Sequence, residues 1–188
     1  METTIGRAKG ILLEPRATWK EVDGEFTKPA EVWGKYIVPL VLLGAIARTV
    51  GMMLFGKQVA LTSLTTPVPM SEAVVGGVVT LVVALVSVFV LSKIISLLAP
   101  GFGGNRNDVQ GLKVAAYSST AAWVGAVFMI LPKLNLVAIL ISLYSLVLLY
   151  VGLPILMKVP KDRAMGYTAV VMIIAVVMFL IGQAVISA

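Results

Sequence analysis

Residues 73–98 read AVVGGVVTLVVALVSVFVLSKIISLL, a run broken by one charge, Lys93. A stretch this long and apolar exceeds the about 20 residues a helix needs to cross the hydrocarbon core. In lipid the backbone must satisfy its own hydrogen bonds, and a helix does so within the segment. Working outward, four further windows have the same character: 36–56, 112–131, 136–157 and 165–186. The fold class expected is all-α: a polytopic membrane protein with a five-helix transmembrane bundle over 35–188, preceded by an amphipathic interfacial segment over 1–34. Pro132, Lys133 and Asn135 leave only a tight turn between the third and fourth windows, so those helices are expected to be antiparallel neighbours. The 57–72 connector, with Leu64-Thr65-Thr66-Pro67-Val68-Pro69, reads as extramembrane turns.

The whole composition agrees. The chain is 59% hydrophobic and 13% charged, where a soluble domain carries about 25% charged residues. Cysteine and histidine are both absent, which removes disulfides, thiolate nucleophiles, imidazole bases and the usual zinc ligands. Every carboxylate lies outside the apolar windows or at an edge, which disfavours a paired-acid site or an intramembrane proton relay. Gly101, Gly103 and Gly104 lack the Lys-Ser/Thr of a phosphate loop and follow no strand, so they read as a loop. Neither an enzyme nor a metal or cofactor site is expected.

Orientation follows from the basic residues. Of fifteen Lys and Arg, twelve fall in the N-terminal segment or in and beside the 99–111 and 158–164 connectors, and only Lys57 and Lys133 fall on the other side. The positive-inside rule then puts the N-terminus in the cytoplasm and the C-terminus outside. A pI near 9.7 reflects this asymmetry rather than a nucleic-acid surface. Residues 1–26 hold no continuous apolar core of a secretory signal, so the first span is expected to direct insertion.

The segment before the first span carries two helical faces: Ile5, Ala8 and Leu12, then, after Pro15, Trp19, Val22 and Phe26. One reading is a helical pair lying in the headgroup layer, with Trp19 and Phe26 as interfacial anchors. The other is an ordered lead-in outside the membrane.

Arg48 is the fifteenth cation and lies within the first window, where a charge costs about 2.5–3.5 kcal/mol on insertion scales. Gly44 and Gly51 share its helix face, so that face is expected to pack on other helices. Glu72, at the outer start of the second window, is the expected counter-charge. Binding of an anion or headgroup, or exposure to a water-filled vestibule, are the other readings. Small residues form stripes at Gly76, Thr80, Ala84 and Ser87, at Ala115, Ser119, Ala122 and Ala126, and at Asn135, Ala138, Ser142 and Ser145. Such stripes let helices approach closely; a solute path is the competing reading.

Three segments carry a resemblance. ILLEPRATWKEV (11–22), LKVAAYSSTAAWVG (112–125) and LYSLVLLYVGLPILMKVPKDRAMGYT (143–168) together resemble the Yip1 family in its bacterial branch. The most specific part is the pattern Tyr144, Tyr150, Gly152, Leu153, Pro154. Ala121-Ala122 stand where that pattern implies a proline soon after Ser118-Ser119-Thr120, which removes the usual cause of a kink. The resemblance implies five spans with a cytoplasmic N-terminus and, in eukaryotic members, binding of small GTPases and other membrane partners. The expected function is a noncatalytic integral membrane scaffold or adaptor in the cell membrane, forming homo- or hetero-oligomers and binding partners or lipids of the bilayer. The alternative is a small transporter or channel for an ion or anionic solute using the Arg48 region.

Overall fold

The computed structural model describes residues 3–58 and 65–187, the last by its backbone alone. The helices are α1 (Thr4–Leu13), α2 (Pro15–Gly24), α3 (Pro29–Val32), α4 (Val38–Phe55), α5 (Met70–Leu98), α6 (Asp108–Ser118), α7 (Thr120–Phe128), α8 (Asn135–Met157) and α9 (Lys161–Ser187). A two-residue hairpin, Lys57–Gln58 with Thr65–Thr66, closes the turn after α4; residues 59–64 of that connector lie outside the described residues. The all-α class is therefore observed.

Among the described residues, four helical stretches are long and apolar enough to cross a membrane: Pro29–Phe55, Met70–Phe102, Pro132–Met157 and Lys161–Ile186. They match four of the five expected spans. The fifth, 112–131, is not one helix but two, α6 and α7, meeting at Ser119. No proline stands at the junction; two hydroxyl residues do. Ser119 Oγ donates to Ala115 O at 2.8 Å and Thr120 Oγ1 to Tyr117 O at 2.7 Å, bonds of a kind that bends helices but that Thr49, Thr80 and Ser142 also make inside unbroken α4, α5 and α8. The Ala122 N–H, which an unbroken helix would direct to the carbonyl four residues back, is accepted instead by Ser145 Oγ of α8 at 3.1 Å.

α6 occupies the centre, with Gly111 through Ser118 all buried. α5 and α8 flank it, α9 packs on α5 and α8, and α4 packs on α5 and α7. α7 and α8 lie together as the tight turn requires, and the Ala138 and Ser142 stripe of α8 lines the seam opposite Gly125, while Ala126 of the other stripe meets Gly44 of α4. A Cβ on Gly125 would meet Ala138 O and Ser142 Oγ, each at 2.8 Å.

The segment before the first span departs from expectation most. α1 and α2 do not present Trp19 to headgroups; they dock on the bundle. Pro15 opens α2 as expected, but Ile11, Trp19 and Val22 are wholly enclosed by protein. An apolar helix face gains as much by meeting the helices beside it as by meeting lipid, and the close approach available at Gly152 decides for protein.

Candidate functional site

The end of the bundle where α2 meets the 99–107 and 158–160 connectors is built from charge as well as packing. Lys113, from the second turn of α6, is 1% exposed. Its ammonium donates to Val22 O at 2.9 Å and Glu25 O at 2.6 Å, at the end of α2 where intrahelical donors run out; Val22 O also accepts the Glu25 N–H at 3.3 Å. Gln110 Nε2 donates to Asp23 O at 3.3 Å, and Lys158 pairs with the Asp23 carboxylate. Arg7, buried in α1, pairs with Glu25 and lies 3.5 Å from Glu21. Asn105 N–H reaches Met157 O at 2.9 Å, tying the 99–107 connector to the end of α8.

Beneath this network runs a chain of aromatic rings. Trp19 and Tyr117 centroids are 6.1 Å apart, Tyr117 meets Tyr36 edge-on at 4.7 Å, and Tyr36 lies 6.5 Å from Trp123. Thr120 gives its proton to Tyr117 O, so the 2.7 Å contact between Tyr36 Oη and Thr120 Oγ1 has Tyr36 as donor. This joins the first span to the break between α6 and α7.

Where the first span begins, Pro39 has no N–H for Lys35 O. A π-helical turn, Trp33–Ile37, absorbs the mismatch: Val38 N–H reaches Trp33 O, and Thr4 Oγ1 of α1 donates to Lys35 O. Beside this turn lies a cleft of about 310 Å³, lined by Arg7, Glu25, Phe26, Glu31, Lys35 and Tyr36 among others.

At the first turn of α6, Asp108 accepts from Lys93 Nζ and Ser96 Oγ, both at 2.6 Å. These two hydrogen bonds hold its carboxyl below the usual aspartate range.

The residues singled out from sequence fall in three places. Of the Tyr-Gly-Leu-Pro set, Gly152 lies under the Trp19 ring, where a Cβ would come within 2.6 Å of Cε2 and Cζ2. Leu153 is fully buried, Tyr144 is half-buried against the core, Tyr150 is exposed, and Pro154 sits inside α8. Trp19 is thus a packing residue, not an interfacial anchor, because its ring fills the space Gly152 leaves; Phe26, by contrast, is 95% exposed. Arg48 is half-buried, and its glycine face packs as expected. Gly44 meets Ala126 Cβ at 3.3 Å, and Gly51 meets Ile130 Cα and Met129 O at 3.0 Å. Arg48 Nε is buried with no hydrogen-bond partner among the described residues. Glu72 is exposed at the start of α5, and among the described residues no ion pair joins it to Arg48.

Sequence reasoning missed Lys113 and Arg7, counting both only as charges that set orientation. The available signal was position: Lys113 lies inside an apolar window, and Arg7 stands four residues before Ile11, on one helix face with it.

No curated protein and no solved structure matches the chain. The family model described as Yip1 domain does match, over residues 9–182. That span takes in α2 with Trp19, the α6–α7 break and the Gly152 contact, so the chain, an integral membrane protein with helices that cross the bilayer, belongs to the Yip1 family.

Proposed function

We propose that the protein is a noncatalytic scaffold or adaptor of the Yip1 type in the cytoplasmic membrane, binding membrane partners or lipids. Its N-terminus and the 99–107 and 158–160 connectors face the cytoplasm, and its C-terminus faces outward, as the distribution of Lys and Arg supports. The observation that carries the reading is the enclosure of α6 by its neighbours, with the space around it filled by Trp19, Tyr36, Tyr117 and Trp123. A centre packed this way leaves the outer faces and the polar end as working surfaces. On α8 the exposed residues Leu136, Leu140, Leu143, Val147 and Tyr150 repeat at steps of four and three, the seam spacing of paired helices, which supports homo- or hetero-oligomers. Purification in mild detergent, with identification of co-purifying lipids and proteins, tests the proposal; a monomer carrying neither would overturn it. Reporter fusions in the 99–107 and 158–160 connectors should read as cytoplasmic, and one after Ala188 as external.

A second reading, a small transporter or channel for an ion or anionic solute, is favoured by the buried Arg48 Nε with no partner among the described residues. Solute flux in proteoliposomes that is lost on Arg48→Ala would establish it, and no flux for any ion or anionic solute would remove it.

A further inference from the structure

The cleft beside the π-helical turn has a composition that selects a ligand class. Its wall carries two cations, Arg7 and Lys35, and two carboxylates, Glu25 and Glu31. Each cation is already matched on the wall: Arg7 pairs with Glu25, and Lys35 with Glu31 at 3.1 Å. A ligand of one net charge would leave one of these groups without compensation, whereas a zwitterion can meet an acid with its cation and a base with its anion.

Position narrows the class further. Lys35 and Tyr36 stand in the first turns of the first span, Pro29–Phe55, the end that the proposed orientation sets beside the cytoplasmic headgroups. Phe26, on the cleft's rim, is 95% exposed, and no protein side chain covers its ring among the described residues. At a membrane border such a ring has acyl chains to enter. The floor is aromatic and fixed: Tyr36 and Tyr117 are 4% and 5% exposed and meet edge-on. The π turn adds a local signal, because single π turns inside helices recur at functional sites. The volume, about 310 Å³, lies at the lower end of ligand pockets, about 300–1,000 Å³.

We propose that this cleft binds the headgroup of a zwitterionic phospholipid with a primary ammonium, a phosphoethanolamine headgroup. Its phosphate lies toward Arg7 and Lys35, its ammonium toward Glu25 and Glu31, and its chains pass over Phe26 into the bilayer. Carboxylates favour a primary ammonium over a quaternary one, because only the former donates hydrogen bonds to them. The inference rests on the membrane-embedded, lipid-binding reading above and adds the lipid's class and its site.

The test uses the full-length protein in mild detergent, with native mass spectrometry after addition of equal amounts of phosphatidylethanolamine, phosphatidylglycerol and phosphatidylcholine. Phosphatidylethanolamine should be retained preferentially. Glu31→Ala and Lys35→Ala should each reduce its retention by about tenfold, the scale of one lost charge-assisted bond. These two residues form an exposed pair, so the thermal midpoint should stay at the parent's value. The double variant Glu31→Lys with Lys35→Glu keeps a pair but inverts the order of charges, and should also lose the preference. Phe26→Ser should weaken retention of the intact lipid without changing the headgroup order. Equal retention of the three lipids, or a preference untouched by the Glu31 and Lys35 variants, would overturn the site while leaving protein-partner scaffolding intact. Competition by soluble phosphoethanolamine with no lipid retained would overturn the lipid assignment. Recovery of the chain in the soluble fraction would overturn the membrane reading itself.

Discussion

Gly152→Ala tests the docking of α2 directly. The added methyl would lie 2.6 Å from Trp19 Cε2 and Cζ2 and 3.0 Å from Cδ2, whereas ordinary carbon contacts are about 3.5–4.0 Å. The indole must therefore retreat by about 1 Å, the shortfall between those distances. Trp19 is 0% exposed and backed by Tyr117, so it cannot simply rotate into open space. Overpacking of this kind destabilises by about 1–3 kcal/mol. The loss should appear as undocking of α1 and α2 rather than unfolding of the spans, because the α7–α8 and α5–α6 contacts do not involve Trp19. At about 1.4 kcal/mol per tenfold, amide exchange in α2 should speed up by about five- to 150-fold. Trp19→Phe, which removes the atoms that clash, should be destabilising alone but compatible with Gly152→Ala, with a coupling of about 1–2 kcal/mol in the double variant. Parent-level protection of α2 in Gly152→Ala, or strict additivity of the pair, would show that the contact does not hold the N-terminal helices.

Three further outcomes follow from the same network. Lys113→Met, close in volume but without the ammonium, removes the charged donor from Glu25 O and leaves Val22 O only the 3.3 Å bond from the Glu25 N–H; at about 1.5–3 kcal/mol per charged bond, limited proteolysis should cut near residues 24–28 much faster than in the parent. Ser145→Ala leaves the Ala122 N–H without its acceptor and should lower stability by about 1 kcal/mol, read as faster exchange at the start of α7, while Ser145→Thr restores it. Asp108 has a folded pKa below its unfolded value because of Lys93 and Ser96; such a group stabilises above the unfolded pKa, about 3.9, and the contribution is lost as pH falls through the folded one. Exchange at the start of α6 should therefore rise on acidification below about pH 4, and Asp108→Asn should be loosened at neutral pH with that dependence gone.

The spans were legible because their signal is local. A continuous apolar run such as 73–98 reports its solvent without reference to any partner, and the Pro132 turn dictates an antiparallel pair by length alone. The break at Ser119 was not legible in the same way. Hydroxyls bond carbonyls of their own helix in unbroken α4, α5 and α8 as well, and what sets this site apart is Ser145, 26 positions from Ser119, accepting the free amide of Ala122. Small residues gave faces that meet but not their partners: Gly44 packs against α7 and Gly51 against Met129 and Ile130 just beyond it. Their neighbour Arg48 has no ion pair with Glu72 among the described residues, since shared membrane side does not bring two side chains together.

The N-terminal helices show why hydrophobic periodicity alone cannot choose between lipid and protein. A face of Trp19 and Val22 reads identically whether it meets acyl chains or a neighbouring helix, because both environments are apolar. The residue that decides is 133 positions away, since only a glycine at 152 lets an indole lie against the α8 backbone. While Trp19 packs inward, three apolar groups of this segment stay outward, Ile5, Leu13 and Phe26, at 81%, 68% and 95% exposure. An isolated interfacial helix would bury its largest aromatic in the bilayer. This pair buries its tryptophan in protein and leaves its phenylalanine bare beside a charged cleft, the arrangement on which the proposed lipid site rests.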